Sequence, residues 1–221
     1  MAVTDPGTDD IPPGEADDDG PEGPVETVLE VVDELTTPAP TAGAVALDTR
    51  LSRFDDAVDA QFDRLRGHPA VDRLMYSVTE LADFSLLWHL LGATRGLGSE
   101  RDAAAAVRLS TVLAVESTLV NAGLKSLFRR QRPIPEFERP HHLRIPVTTS
   151  FPSGHASAAM CAATLLADGR VRSTRVGWFA LGGLVAASRV HVKIHHASDV
   201  LGGVAVGVVV GQVARRLWRQ R

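Results

Sequence analysis

Four apolar stretches of helical length lie after residue 100, and they limit the fold more than any other feature of the sequence. They cover about 102–128, 155–168, 174–190 and 199–217. A fifth stretch, 70–93, is weaker because three ionisable residues interrupt it, namely Glu80, Asp83 and His89. Apolar runs of this length are typical of helices rather than strands. We therefore predict an all-α bundle of four to six helices.

Two features of these stretches favour a membrane over a soluble core. The last stretch carries Gly203, Gly207 and Gly211 at four-residue spacing, a pattern by which helices approach closely in lipid. Trp178 and Trp218 lie near the ends of apolar runs, where indole rings prefer the lipid interface. We predict a multi-pass protein embedded in the cell membrane. The glycines are interpreted first as packing inside the bundle and second as a homodimer interface.

Arginines gather at one end of the predicted helices. Arg170, Arg172 and Arg175 lie between the second stretch and the start of the third, and four more arginines lie at and beyond the end of the fourth, at 215, 216, 219 and 221. Basic ends of membrane helices tend to stay in the cytoplasm. We expect the opposite ends, which carry the polar motifs below, to face outward. Whether 70–93 also crosses the membrane decides the side of the N-terminus, and the sequence leaves both sides open.

Acidic and basic residues are divided unevenly along the chain. Residues 1–50 hold 13 of the 27 acidic residues and one base, Arg50. This stretch has too little apolar surface to fold, so we predict a disordered acidic tail over 1–50 and one folded domain over 51–221. The domain has a net charge of about +8, and it should attract an anion. Apolar residues at helical spacing predict a surface helix over 51–67.

The first polar motif is the segment from Lys125 to Arg132 and Pro133. If the helix continues to the proline, the two cations lie on one face, about 10 Å apart along the axis. Two cations so placed can hold one oxyanion from different sides. Taken alone, this segment is more often a solvated basic helix end or a cluster that touches acidic lipid headgroups.

The second motif is Pro152-Ser153-Gly154-His155, directly before an apolar run. Proline and serine suit the first turn of a helix, whose free N–H groups form a cradle for an anion. His155 would lie at the edge of this cradle, where an imidazole can protonate a leaving oxygen. By itself the motif is equally typical of an ordinary turn before a helix.

The third motif runs from Ser188 and Arg189 through His195 to Asp199. His195 and Asp199 are four residues apart, so on a helix their side chains meet. A carboxylate bound to one ring nitrogen leaves the other nitrogen free to attack phosphorus. Arg189 adds a forked donor suited to two phosphate oxygens.

A metal site built from His191, His195, His196 and Asp199 is the alternative interpretation of the third motif. A hydrolytic zinc helix normally carries a glutamate beside its first histidine, and this chain has Val192 there. We therefore predict no metal, and we interpret His191 and His196 as residues that line the pocket.

Together the three motifs, KxxxxxxRP, PSGH and SRxxxxxHxxxD, resemble the signature of the type 2 phosphatidic acid phosphatase (PAP2) superfamily, and all eleven specified letters match. The resemblance covers about 100–215 and implies a membrane-embedded bundle of the PAP2/haloperoxidase type. It implies that His195 is the nucleophile, Asp199 its orienting partner and His155 the general acid. Phosphate would be held by Lys125, Arg132, Ser153, Gly154 and Arg189. The family needs no metal or other cofactor.

The resemblance implies hydrolysis of a membrane lipid phosphate through a phosphohistidine. The expected partners are the lipid substrate and the bilayer, and no nucleic acid is expected. The composition suggests a high-GC bacterium, so polyprenyl-linked phosphates rank first and phosphatidic acid or phosphatidylglycerol phosphate next. Two alternatives remain open at this point: an enzyme like the vanadium-dependent haloperoxidases, and a non-enzymatic membrane protein that binds anionic lipid.

Overall fold

The structure is a computed structural model that describes residues 42–135, 137–146 and 148–219. These ranges contain seven α-helices and no strand, so the all-α class is confirmed. The helices are α1 (Ala42–Asp63), α2 (Pro69–Leu81), α3 (Leu86–Gly96), α4 (Glu100–Thr118), α5 (Gly154–Leu166), α6 (Arg172–His191) and α7 (Ala197–Arg219). Helix α1 begins inside the stretch that we assigned to the tail. The remainder of that stretch, 1–41, lies outside the described residues.

The fifth apolar stretch forms two helices rather than one, which brings the helix count above the predicted four to six. A short 3₁₀ turn, Asp83–Ser85, separates α2 from α3. Within it Phe84 and Ser85 have φ angles of 52° and 59°, values that side chains with a Cβ adopt rarely. An α-helix cannot continue through two such residues, so the chain turns here. The turn places Asp83 at the functional site described below.

Helix α5 lies at the centre of the bundle and contacts α4, α6 and α7. Its buried side chains are mostly small, with six alanines or serines and Cys161 among them. A Cβ on Gly203 or Gly207 would collide with the carbonyl of Ser153 or Ser157 on the α5 side. The glycine stripe of α7 therefore packs against α5, which confirms the interpretation of these glycines as bundle packing.

Two helices among the described residues are long and apolar enough to cross a membrane. One is α4 with its continuation, Glu100–Leu127, and the other is Ala197–Trp218 of α7. Helix α5 is apolar but has only 13 residues, fewer than the about 20 that a crossing requires. Large apolar side chains remain exposed on both long helices, including Val115 at 61% and Leu201 at 56%. Such exposed apolar surface is expected of helices that face lipid.

Candidate active site

The three motifs meet at one end of the bundle, where α4 and α6 end and where α5 and α7 begin. The first and third motifs are joined by Arg132, whose Nη1 lies 3.2 Å from His195 Nε2. The second and third are joined by a backbone hydrogen bond of 3.0 Å from the Ser153 N–H to the Asp199 carbonyl. The structure therefore brings together the segments that the sequence places far apart.

The first motif is not one continuous helix. After a π turn and a 3₁₀ turn the helix ends at Leu127, and Phe128 is extended. The prediction that helical spacing aligns Lys125 with Arg132 is therefore wrong. The two cations meet instead at Thr148, because Lys125 Nζ donates to its hydroxyl at 3.1 Å and Arg132 Nε to its carbonyl at 3.1 Å. The loop that returns towards α5 brings the cations together.

His195 lies in the turn before α7, with only 2% of its side chain exposed. Its Nε2 faces Arg132, which can only donate, so Nε2 acts as the acceptor and the ring proton belongs on Nδ1. Nδ1 lies 3.6 Å from Asp199 Oδ2, an electrostatic contact longer than a hydrogen bond. Burial, together with the cations Arg189 and Arg132, lowers the pKa of His195 to about 3, although Asp199 opposes the shift. The imidazole is therefore neutral, with Nε2 unprotonated.

Asp199 is fully buried, and it accepts hydrogen bonds from groups other than His195. Its Oδ2 accepts a hydrogen bond of 2.9 Å from the His196 N–H, and its Oδ1 accepts one of 2.6 Å from Arg130. The same guanidinium donates to Asp55 on α1 at 2.6 Å, and Asp55 accepts from the Ser198 N–H at 2.7 Å. Two carboxylates thus share one cation, which fixes the start of α7 against α1.

Neither Arg130 nor Asp55 is among the site residues predicted from the sequence. Arg130 occupies a position that the first motif leaves unspecified. The sequence did contain an indication that Asp55 is buried. This residue shares a helix face with Val58 and Phe62, which pack against the apolar core. An aspartate on an apolar face requires a buried partner, but nothing in the local pattern identifies that partner.

His155 lies at the start of α5, and its Nε2 is 2.7 Å from Asp83 Oδ1. Sequence analysis noted Asp83 only as an interruption of an apolar stretch. Burial by itself would raise the pKa of Asp83, but the hydrogen bond from His155 and nearby cations outweigh it, so the pKa is lowered. The site thus contains a second imidazole–carboxylate pair, in which Asp83 is ionised.

Besides Nδ1 of His195, three buried donors at this end of the bundle have no hydrogen-bond partner among the described residues. They are the Ser153 hydroxyl and the Nε and Nη2 groups of Arg189. Arg189 is 1% exposed, and its remaining terminal nitrogen, Nη1, donates to the Thr79 hydroxyl. A buried guanidinium with open donors is costly unless an anion pairs with it. Gly154 is the first residue of α5 and follows Ser153, so its N–H is one of the groups at a helix start that have no partner within the helix.

The charges at this site form one electrostatic group. Arg189 lies near enough to act on both His155 and His195. The charge of Lys125 in turn interacts electrostatically with Arg132, Arg189 and Asp199. Cations and N–H donors thus surround the two imidazoles, an arrangement suited to an anion with several oxygens such as phosphate.

The residues considered for a metal site point in different directions. His191 Nε2 lies 2.8 Å from Asp72 Oδ1 on α2, whereas His195 faces Arg132. No group of three or more histidine, cysteine or acidic side chains in the described part of the chain is placed to share an ion.

Known proteins resemble this chain in sequence. The model of the PAP2 superfamily matches residues 105–221. A lipid A 1-phosphatase of Porphyromonas gingivalis is 35% identical over 106 residues, which are 46% of this chain and 21% of that relative. A decaprenylphosphoryl-5-phosphoribose phosphatase of Mycobacterium tuberculosis is 37% identical over 93 residues, which are 41% of this chain and 49% of that relative. The matches thus span less than half the length of each relative.

Two solved structures resemble the fold. The first transmembrane PAP2 type phosphatidylglycerolphosphate phosphatase from Bacillus subtilis matches with a TM-score of 0.62 at 22% identity, over 89% of this chain and 94% of that chain. Aquifex aeolicus LpxE matches with a TM-score of 0.59 at 24% identity, over 72% of this chain and 93% of that chain. These likenesses confirm the predicted fold type.

Proposed function

Since this chain belongs to the PAP2 superfamily, we propose that it is a lipid phosphate phosphatase that acts through a phosphohistidine on His195. The observation that carries the proposal is a buried, neutral imidazole whose unprotonated nitrogen faces Arg132, at the same end of the bundle as the unpartnered donors of Ser153 and Arg189. A nucleophile for phosphorus needs an unprotonated nitrogen, and the phosphoryl group needs donors for its oxygens. Both requirements are met at one place.

In the first displacement, His195 Nε2 forms a bond to phosphorus while the bond from phosphorus to the leaving oxygen breaks. His155 gives that oxygen a proton. The ring of His195 becomes cationic, and Asp199, 3.6 Å from Nδ1, stabilises that charge. Asp83 holds His155 Nε2, which leaves Nδ1 of His155 to carry the exchanged proton.

In the second displacement, water attacks phosphorus and the bond from phosphorus to His195 Nε2 breaks. His155, now neutral, accepts a proton from the water. Inorganic phosphate leaves, and both imidazoles return to their starting protonation states. In both steps the phosphoryl oxygens are held by Lys125, Arg132, Ser153, Gly154 and Arg189.

The proposed substrate is a phosphomonoester or diphosphate of a membrane lipid, with polyprenyl-linked phosphates first. Support for this order comes from the decaprenylphosphoryl-5-phosphoribose phosphatase, a relative whose name specifies a polyprenyl lipid. Phosphatidic acid and phosphatidylglycerol phosphate come next. The site lies opposite the arginine-rich helix ends, so we place it at the outer face of the cell membrane.

The experiment is a phosphate-release assay in detergent across lipid monophosphates and diphosphates, with EDTA present. We expect release by the wild type and at least about a 1000-fold loss in His195→Ala. His142→Ala is the matched control, because His142 is an exposed histidine outside the proposed site, and it should keep full activity.

Full activity in folded His195→Ala protein would overturn the phosphohistidine. Loss of activity in EDTA, restored by a divalent cation, would overturn metal independence. Binding of lipid phosphate without release of phosphate would instead support a binding protein, and vanadate-dependent halide oxidation would support a haloperoxidase.

A further inference from the structure

A basic cavity lies at the other end of the bundle from the candidate active site. Its volume is about 680 Å³, and it is enclosed by α3, α4, the turn after α5 and the end of α7. Five arginines line it: Arg95, Arg101, Arg108, Arg170 and Arg215. These side chains come from four separate segments, so their convergence is a property of the fold and not of one basic run.

The two ends are separated by about the thickness of a bilayer core. From Arg108 to Lys125 the chain runs along α4 and its continuation, and from Arg215 back to Asp199 it follows α7. At 1.5 Å per residue each path is about 25 Å long, close to the about 30 Å of hydrocarbon in a bilayer. If one end lies among the headgroups of one leaflet, the other end lies among those of the opposite leaflet.

The cavity has an excess of positive charge. Two aspartates line it: Asp168 pairs with Arg215 at 2.5 Å, and Asp102 lies 3.7 Å from Arg170. The other three arginines have no carboxylate within ion-pair distance in the described part of the chain. Five cations against two anions leave a net charge of +3 around one cavity. Such an excess favours an anionic occupant.

The remaining lining is apolar and suits the part of a lipid below its headgroup. Leu109, Leu165 and Leu166 line the cavity from α4 and α5, and Trp218 from the end of α7. A tryptophan at a helix end is typical of the lipid interface. A lining that combines guanidinium groups with apolar side chains matches a phosphate group joined to acyl chains, whereas a free phosphate ion would gain nothing from the leucines.

We propose that this cavity binds the phosphate group of an anionic membrane phospholipid in the leaflet opposite the candidate active site. The bound lipid is a ligand and not the substrate, because no imidazole lines the cavity. Basic cavities between membrane helices on the cytoplasmic side are suited to such headgroups. The proposal stands on this cavity alone and does not depend on the catalytic activity proposed above.

Native mass spectrometry of the full chain in neutral detergent tests the proposal, with phosphatidylglycerol and phosphatidylcholine as probes. We expect phosphatidylglycerol to bind at least about tenfold more tightly. The double variant R101Q/R108Q should lose most of this preference, because it removes two of the three arginines without a carboxylate partner. Both side chains are exposed, so the variant should fold.

The matched control is R172Q/R175Q, which removes the same charge from the exposed start of α6, at the same end of the bundle but outside the cavity. It should keep the preference within about twofold. A second control, Arg132→Gln, removes a cation at the candidate active site and should also keep it. Phosphate release by R101Q/R108Q, measured in parallel, reports on the catalytic proposal separately.

Three results would overturn the proposal. The first is an equal loss in R172Q/R175Q, which would mean unspecific attraction to charge. The second is displacement of the lipid by millimolar inorganic phosphate, which would mean a site for the free ion. The third is a preference for phosphatidylglycerol that remains in R101Q/R108Q and disappears in Arg132→Gln. That result would place the bound lipid at the candidate active site.

Discussion

The two imidazole–carboxylate pairs of the candidate active site differ in burial, in distance and in the origin of the carboxylate. His195 and Asp199 come from one motif, are 2% and 0% exposed and lie 3.6 Å apart. His155 and Asp83 are 16% and 26% exposed and lie 2.7 Å apart. Asp83 belongs to a turn before residues 105–221, the part that the family model matches.

This difference corresponds to the two tasks that we propose for the histidines. A nucleophile must stay unprotonated, and deep burial among cations keeps His195 neutral. An acid and base must gain and lose a proton in each cycle, which requires some access to water and a partner that supports the charged ring. His155 is 16% exposed and is paired with Asp83. Burial and the cation Arg189 nevertheless lower the pKa of His155 to about 4, although Asp83 opposes the shift. The two pairs therefore differ in exposure and in distance, and not in the direction in which the pKa of the imidazole is shifted.

Replacing the buried carboxylate should have the largest effect. In Asp199→Asn the charge that stabilises the cationic ring of His195 is lost, and we expect kcat to fall about 1000-fold. KM should change little, because Asp199 does not contact the substrate in the proposed mechanism. Steady-state phosphate release on folded protein measures both constants. A fall in kcat of less than tenfold would mean that Asp199 does not stabilise the cationic ring of His195.

Replacing the half-buried carboxylate of Asp83 should have a smaller effect of a different kind. In Asp83→Asn we expect kcat to fall about 30-fold. The alkaline limb of the pH profile should also move to lower pH, because the imidazole of His155 releases its proton more readily without the carboxylate.

The matched control for Asp83→Asn is Asp72→Asn. It disrupts the similar contact to His191, 2.8 Å long, without touching either imidazole that is proposed to react. It should lower stability and leave the pH profile in place. An equal shift in both variants would show that Asp83 acts only on the fold.

The smallest effect concerns stability. The unfolded chain protonates His195 near pH 6.5, whereas the folded protein does so only near pH 3. Protonation therefore favours the unfolded chain as pH falls below 6.5, and the folded protein is about 1 kcal/mol less stable at pH 5.5 than at high pH. Thermal unfolding in detergent at pH 8 and 5.5 should show a smaller pH dependence in His195→Asn than in the wild type. An identical dependence would mean that His195 is not buried in its neutral form.

The sequence by itself determined the helices and most of the residues at the candidate site. Periodicity and apolar length identified α4 to α7, because these signals arise among residues a few positions apart. The motif residues were identifiable because each motif is short and places its polar groups at a helix end. The glycine stripe of α7 likewise indicated close packing.

Only the tertiary structure decided which groups face one another. Asp83 meets His155 across 72 positions and Asp55 meets Arg130 across 75, and no local pattern relates such residues. Lys125 and Arg132 meet at Thr148 because a loop folds back, not because a helix aligns them. Spacing along a chain constrains neighbours within one element, whereas pairing between elements follows from how those elements pack. Packing therefore decided the carboxylate of the half-buried pair, Asp83, and the cation that the buried pair shares with Asp55, Arg130.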